Sequence, residues 1–186
     1  MGDSLGRPLP APKPVTWWTH ARIIALALFG GVLGIAGSIF GELRSGGLLL
    51  LPLVGAPIIE EAFKPIGVYF GFLRWPDALK NRLYVALLCA GGGLVFGLLE
   101  STMYVFVYAR DHPDWYPYFR YTVPVALHVI ASFTVGLGLD RTIVDWVNRG
   151  ASLPKRTRRF YVAGVTIHGI YNTVAIILTI AGVLDF

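Results

Sequence analysis

Long runs of apolar residues, separated by short polar stretches, make up most of this sequence. Five runs reach the roughly 20 residues that an α-helix needs to cross a bilayer. They cover residues 21 to 40, 48 to 73, 83 to 109, 121 to 140 and 160 to 183. Helices joined by short loops satisfy their own backbone hydrogen bonds in lipid. The pattern therefore predicts an all-α, polytopic membrane helix bundle of about five transmembrane helices.

The composition agrees with a membrane protein. Hydrophobic residues make up 55% of the chain and charged residues only 15%, against roughly 25% charged residues in soluble domains. The 186 residues leave room for one compact bundle. We therefore expect residues 21 to 186 to form a single transmembrane domain, and the proline-rich residues 1 to 20 to form a disordered cytoplasmic tail.

Basic residues are distributed unevenly over the predicted loops. Twelve lie on the side of the N-terminus, most densely in KRTRR at 155 to 159, and three, Arg44, Arg110 and Arg120, lie on the opposite side. Because basic loops stay in the cytoplasm, this bias predicts that the N-terminus is cytoplasmic. We expect the protein to lie in the cell membrane. Anionic lipid headgroups are sufficient partners for these loops. The net charge of +5 therefore does not indicate a nucleic-acid partner.

Six ionisable residues interrupt the predicted spans. They are Glu60, Glu61 and Lys64 in the second span, Glu100 in the third, His128 in the fourth and His168 in the fifth. A charged side chain at the middle of a membrane costs at least ~2.5 kcal/mol on insertion scales. Such residues indicate a functional site in which each charge has a partner.

Three of these spans place small residues on the face that carries the polar group, because residues three and four apart share a helix face. The three groups are Gly93, Gly97 and Glu100; His128, Ser132 and Gly136; and Gly164, His168 and Asn172. Small residues allow helix backbones to approach closely. We therefore expect these faces to turn toward one another rather than toward lipid.

The second span has a different pattern. Glu60 and Lys64 share a face, whereas Glu61 points about 100° away. Pro65 has no N–H to donate to the Glu61 carbonyl, which predicts a kinked or loosened helix at the carboxylates.

Carboxylates combined with histidines are zinc ligands, and a catalytic zinc has three protein ligands and one open position. Three glutamates and Lys64 leave two negative charges, which a divalent cation would neutralise. Protonation of the carboxylates would neutralise them equally well. The residues therefore indicate a metal site without excluding a proton pathway.

Four short motifs resemble those of the PrsW-type intramembrane metalloproteases. They are EEAFK at 60 to 64, FGLLE at 96 to 100, LHVIASFTVG at 127 to 136 and HGIYN at 168 to 172. That family is similar in turn to the CAAX prenyl protease and bacteriocin-processing superfamily. Glu100 stands where the wider superfamily has histidine.

The resemblance implies a zinc-dependent endopeptidase that cleaves a membrane protein or peptide within or near the bilayer. It implies Glu100, His128 and His168 as the zinc ligands and Glu60 as the general base. Glu61 is either a further ligand or the partner of Lys64. Asn172 would hydrogen-bond the scissile carbonyl or its oxyanion, so Glu60, Glu61 and Asn172 are the expected catalytic residues.

A membrane-anchored anti-sigma factor is the substrate that the resemblance suggests, with prenylated or bacteriocin-type peptides as alternatives. Two other functions compete with the protease. One is a non-catalytic membrane scaffold of the same fold, and the other is an ion or proton transporter based on Glu and His side chains. Stoichiometric zinc in the purified protein would favour the protease.

Overall fold

A computed structural model describes residues 14–44, 51–108 and 111–182 of the chain. Within these ranges the secondary structure is helical and has no strand. The α-helices are α1 (Trp17–Arg44), α2 (Ala56–Phe63), α3 (Ile66–Arg74), α4 (Arg82–Met103), α5 (Trp115–Gly138), α6 (Ile143–Arg149) and α7 (Lys155–Ile180). Short π-helical segments cover Leu51–Gly55 and Tyr104–Tyr108, and a 3₁₀ turn covers Pro76–Leu79. The predicted all-α bundle is confirmed; residues 1 to 13 of the predicted tail lie outside the described residues.

Among the described residues, four uninterrupted helical stretches are long and apolar enough to cross a membrane. They are Trp17–Phe40, Arg82–Tyr108, Trp115–Gly138 and Lys155–Ile180. They correspond to the first, third, fourth and fifth predicted spans. The second predicted span is instead divided between the π-helical segment, α2 and α3.

The division between α2 and α3 follows from Pro65. Proline has no N–H, so the carbonyl four residues earlier loses its helical donor. The amides of Val68 and Tyr69 both donate to the Pro65 carbonyl, at 2.8 and 3.1 Å, and the helix begins again there. The predicted loosening is thus a break between two helices, and it directly follows the two glutamates.

Glycines allow the neighbouring helices to approach this break. A Cβ atom at Gly30 of α1 would lie 2.7 Å from the Lys64 carbonyl oxygen, and one at Gly92 of α4 would lie 3.0 Å from it. A Cβ atom at Gly67 would overlap the carbonyl of Leu26. The break is therefore held closely between α1 and α4.

The same close packing places α4 at the centre of the bundle. α4 packs against α1 and α5, α5 packs against α7, and α2 contacts α1 and α7. A Cβ atom at Gly97 would lie 3.0 Å from His128 Cδ2, and one at Gly164 would lie 2.6 Å from Val135 Cγ2. The small-residue faces of α4, α5 and α7 therefore turn toward one another, as predicted.

An apolar core joins the helices at one end of the bundle. It includes Ile23 of α1, Phe72 of α3, Val85 of α4 and Leu139 of α5, all almost fully buried. These residues lie near the helix ends that the charge bias assigns to the cytoplasm. The six ionisable residues of the predicted spans lie in the middle of the bundle and in its opposite half.

The orientation of the bundle can be tested by labelling. The sequence has one cysteine, the buried Cys89, so Cys89→Ala gives a cysteine-free background. We expect Asp111→Cys to react with an impermeant maleimide in intact cells, and Arg158→Cys to react only after permeabilisation, because basic loops stay in the cytoplasm. Labelling of Arg158→Cys in intact cells would contradict the predicted orientation.

Candidate active site

Polar side chains from four helices meet in one cluster inside the bundle. α2 supplies Glu60 and Glu61, and Lys64 is the residue that follows this helix. α5 supplies His128 and α7 supplies His168. All five residues are at least 97% buried. Glu100 of α4 adjoins them, with a side chain that is 23% exposed. The sequence predicts all of these residues for the site; the remaining predicted residue, Asn172, lines the adjacent cavity.

Lys64 lies at the centre of the cluster. Its ammonium donates a hydrogen bond of 2.6 Å to Glu61 Oε1 and lies 3.2 Å from Glu60 Oε2 and 2.8 Å from His128 Nδ1. The pairing with Glu61 arises because residues three apart, like residues four apart, are neighbours on a helix surface. Lys64 therefore partners both carboxylates of α2, and not only the one on its own face.

His168 is held by one glutamate and faces the other. Its Nδ1 lies 3.0 Å from Glu61 Oε1, and its Nε2 lies 3.8 Å from Glu60 Oε2. When Nδ1–H donates to Glu61, the neutral ring presents a lone pair at Nε2. Glu60 Oε2 accepts no hydrogen bond within the described part of the chain, although the Lys64 ammonium is near. Two acceptor atoms thus face each other across a gap that suits a cation.

Glu60, His128 and His168 form a trio that fits a metal ion. Each offers one ligand atom, and these atoms all lie within 4.8 Å of one another. At zinc–ligand distances of about 2.0 to 2.2 Å, tetrahedral ligand atoms lie about 3.4 Å apart. Side-chain movements of about 1 Å would close the trio around an ion, and three protein ligands leave a fourth position open.

Glu100 contacts the trio from the side of α4. Its Oε2 lies 2.9 Å from His128 Nε2 and 3.3 Å from Arg120 Nη2. Glu100, which the sequence predicts to be a zinc ligand, therefore contacts His128, while Glu60 lies closer to His168. The choice between Glu60 and Glu100 as the metal-binding carboxylate stays a prediction.

Arg120 is a residue of this region that the sequence reasoning placed elsewhere. The charge count assigned it to an outer loop, whereas the structure places it in α5, 9% exposed, beside Glu100. The available signal was its spacing. Arg120, Pro124 and His128 follow one another at intervals of four residues and so share a helix face.

A cavity of about 260 Å³ lies beside the cluster. Glu60, Glu100, His128 and His168 line it, and so does Asn172, one turn after His168 in α7. A second cavity, of about 330 Å³, lies between α1 and α4. Glu60, Glu100 and Tyr104 line both cavities. The two carboxylates can therefore be reached from two sides.

Comparison with known families identifies the family of the chain. The family described as PrsW family intramembrane metalloprotease matches residues 15–185, nearly the whole chain. The chain belongs to the PrsW family. Its PrsW domain includes all four motifs and every residue of the cluster. The resemblance is confirmed, and the chain is a multi-pass membrane protein with a metalloprotease domain. No curated protein and no solved structure matches the chain.

Proposed function

We propose that the protein is a zinc-dependent endopeptidase that cleaves a membrane-anchored chain within or near the bilayer. The observation that carries this proposal is the buried trio of Glu60, His128 and His168, which lies beside a cavity. His₂Glu is a known ligand set of catalytic zinc. A divalent ion at this position supplies Lewis acidity toward a peptide carbonyl and toward water.

We assign Glu60 as the third metal ligand and Glu100 as the general base, the reverse of the sequence prediction. The Glu60 side chain is 4% exposed, and its Oε2, which accepts no hydrogen bond from the described residues, lies 3.8 Å from His168 Nε2. Both carboxylates line the two cavities, but the Glu100 side chain is 23% exposed, against 4% for Glu60. A general base must reach the water and the substrate, which suits the more accessible carboxylate.

Three further residues position this arrangement. Glu61 holds His168 through Nδ1, as a carboxylate commonly holds a ligating histidine. Lys64 and the Ser132 hydroxyl both donate to Glu61, the hydroxyl at 3.3 Å. Glu61 is thus a positioning residue in this proposal. Asn172 keeps its predicted role, in which its amide donates a hydrogen bond to the scissile carbonyl as negative charge develops there.

The two cavities support a membrane segment as the substrate. Ile35 and Ile39 of α1 and Met103 of α4 line the second cavity, which suits an apolar side chain. A segment lying past Glu60 and Glu100 would contact both cavities. It would have to unwind locally, because a regular helix keeps its carbonyls in hydrogen bonds. A membrane-anchored anti-sigma factor is one substrate of this kind.

Metal removal tests the proposal directly. We expect the purified protein to contain stoichiometric zinc and to cleave quenched fluorescent peptides copied from membrane segments. The chelator 1,10-phenanthroline should reduce cleavage to background and added zinc should restore it, because the trio binds the ion reversibly. The non-chelating isomer 1,7-phenanthroline is the matched control. Cleavage by protein that is free of metal would contradict the proposal.

A further inference from the structure

The guanidinium of Arg120 is held inside the bundle with part of its hydrogen-bonding capacity unused. Its Nη2 lies 3.3 Å from Glu100 Oε2, and its Cζ lies 3.8 Å from the centre of the Tyr104 ring. Its Nε is buried and has no hydrogen-bond partner within the described residues. A buried donor without an acceptor is unfavourable, more so when the group is charged. A carboxylate in the cavity would supply an acceptor for this donor once the guanidinium turned to face it.

The backbone fixes Arg120 at this position. The Ser101 hydroxyl of α4 donates a hydrogen bond of 2.6 Å to the Arg120 carbonyl oxygen and joins the two helices. The side chain lines the cavity of about 260 Å³ together with Glu100 and His128. Arg120 is thus a fixed cation in the wall of the cavity that adjoins the metal trio.

The balance of charge indicates what the cavity accepts. Glu60, Glu61 and Glu100 carry three negative charges when ionised, and Lys64 and Arg120 carry two positive ones. A divalent cation would leave the ionised cluster with one positive charge in excess. Because charges interact strongly where water is excluded, the loaded site favours a ligand with one negative charge.

We propose that Arg120 is a specificity-determining residue that binds a carboxylate of the substrate. The proposal rests on the peptidase function above. A guanidinium suits a carboxylate because its N–H groups match the two oxygens. Arg120 Nη2 and His128 Nε2 both contact Glu100 Oε2, so they are at most about 6 Å apart, and an extended chain spans about 3.3 to 3.6 Å per residue. With about 2.9 Å added for the hydrogen bond from the guanidinium, the carboxylate therefore lies within about three residues of the scissile bond.

Either an acidic side chain or the C-terminus of the substrate can supply this carboxylate, and a set of matched peptides separates the two. One apolar quenched fluorescent peptide is prepared with Asp or Asn at each position around its cleavage site, and with a C-terminal acid or amide. We expect the wild-type zinc protein to prefer one acidic form over its neutral counterpart by roughly 10- to 100-fold in kcat/KM, mainly through KM. Arg120→Gln should remove the preference, and Arg120→Lys should keep part of it.

Arg156→Gln is the matched control. Arg156 is also a partly buried arginine of the bundle, but its guanidinium donates to the Leu137 carbonyl oxygen and it lies away from the cavity. This variant should keep the wild-type preference. Thermal unfolding of all variants in detergent shows whether a lost preference is due to misfolding. If Arg120→Gln is misfolded, the preference of Arg120→Lys decides whether Arg120 binds the carboxylate.

Three results would overturn the role of Arg120. The first is equal cleavage of all acidic and neutral forms by the wild-type protein. The second is an unchanged preference in Arg120→Gln, and the third is a uniform fall in kcat for every peptide. Anisotropy of the same peptides, labelled and measured in the cold, reports binding apart from cleavage. If no peptide is cleaved, the peptidase function fails, while acid-dependent binding that Arg120→Gln removes would still support the carboxylate site.

Discussion

Glu60→Gln is expected to lose both zinc and peptidase activity, whereas Glu100→Gln is expected to keep zinc and lose activity by about 10²- to 10⁴-fold. A neutral amide is a poor ligand, and Glu60 faces His168 Nε2 within the trio. Loss of a general base typically costs that range in rate. Metal analysis of the purified variants and single-turnover cleavage of a membrane peptide measure the two effects.

Asp77→Asn provides the control, because Asp77 is an exposed carboxylate in an ion pair with Lys80, away from the cluster. It should retain both zinc and activity. The opposite pattern, with zinc kept in Glu60→Gln and lost in Glu100→Gln, would restore the sequence-based assignment of Glu60 as base and Glu100 as ligand. Wild-type activity in both Glu60→Gln and Glu100→Gln would show that neither carboxylate is a metal ligand or a general base.

Lys64→Met is expected to destabilise the bundle by about 3 to 5 kcal/mol and to abolish activity. Lys64 is completely buried and partners two buried carboxylates, and removal of one member of a buried ion pair leaves an uncompensated charge. Lys80→Met is a close control, since Lys80 pairs with Asp77 at the same three-residue spacing but on an exposed surface. Such an exposed pair contributes little to stability, because water screens both charges. Thermal unfolding in detergent compares the two variants.

A second substitution tests the reason for this loss. If the unpaired carboxylate destabilises Lys64→Met, then adding Glu61→Gln should recover part of the stability without recovering activity, since Glu61 also holds His168. A Lys64→Met protein that unfolds at the wild-type temperature would show that the ammonium does not balance these carboxylates.

The fold was largely predictable from the sequence, because few structures satisfy backbone hydrogen bonds in lipid. Apolar runs of sufficient length predicted the helices, and Pro65 predicted the irregularity in the second run. The sequence did not reveal that α2 and α3 are separate helices. Proline removes one helical hydrogen bond, but the sequence alone does not say whether the helix then bends or ends; Gly30 and Gly92 allow the neighbouring helices to approach the Lys64 carbonyl where it ends.

The sequence predicts which residues form the candidate site better than it predicts which of them contact one another. Intramembrane charge predicted Glu60, Glu100, His128 and His168, and the structure brings them together. Which carboxylate faces which histidine depends on side-chain directions across helices, and helical spacing does not carry that information. Arg120 escapes a prediction based on intramembrane charge, because it lies just before the apolar run and resembles a loop charge; only its spacing from His128 places it on the same helix face.

The apolar core and the two cavities occupy opposite ends of the bundle. Ile23, Val85 and Leu139 hold the helices together at one end, while Tyr104 lies between the cavities at the other. If a substrate segment entered from lipid by parting the helix ends near Tyr104, the contacts among Ile23, Val85 and Leu139 would stay intact. Opening of the site would then cost less free energy than unfolding of the bundle.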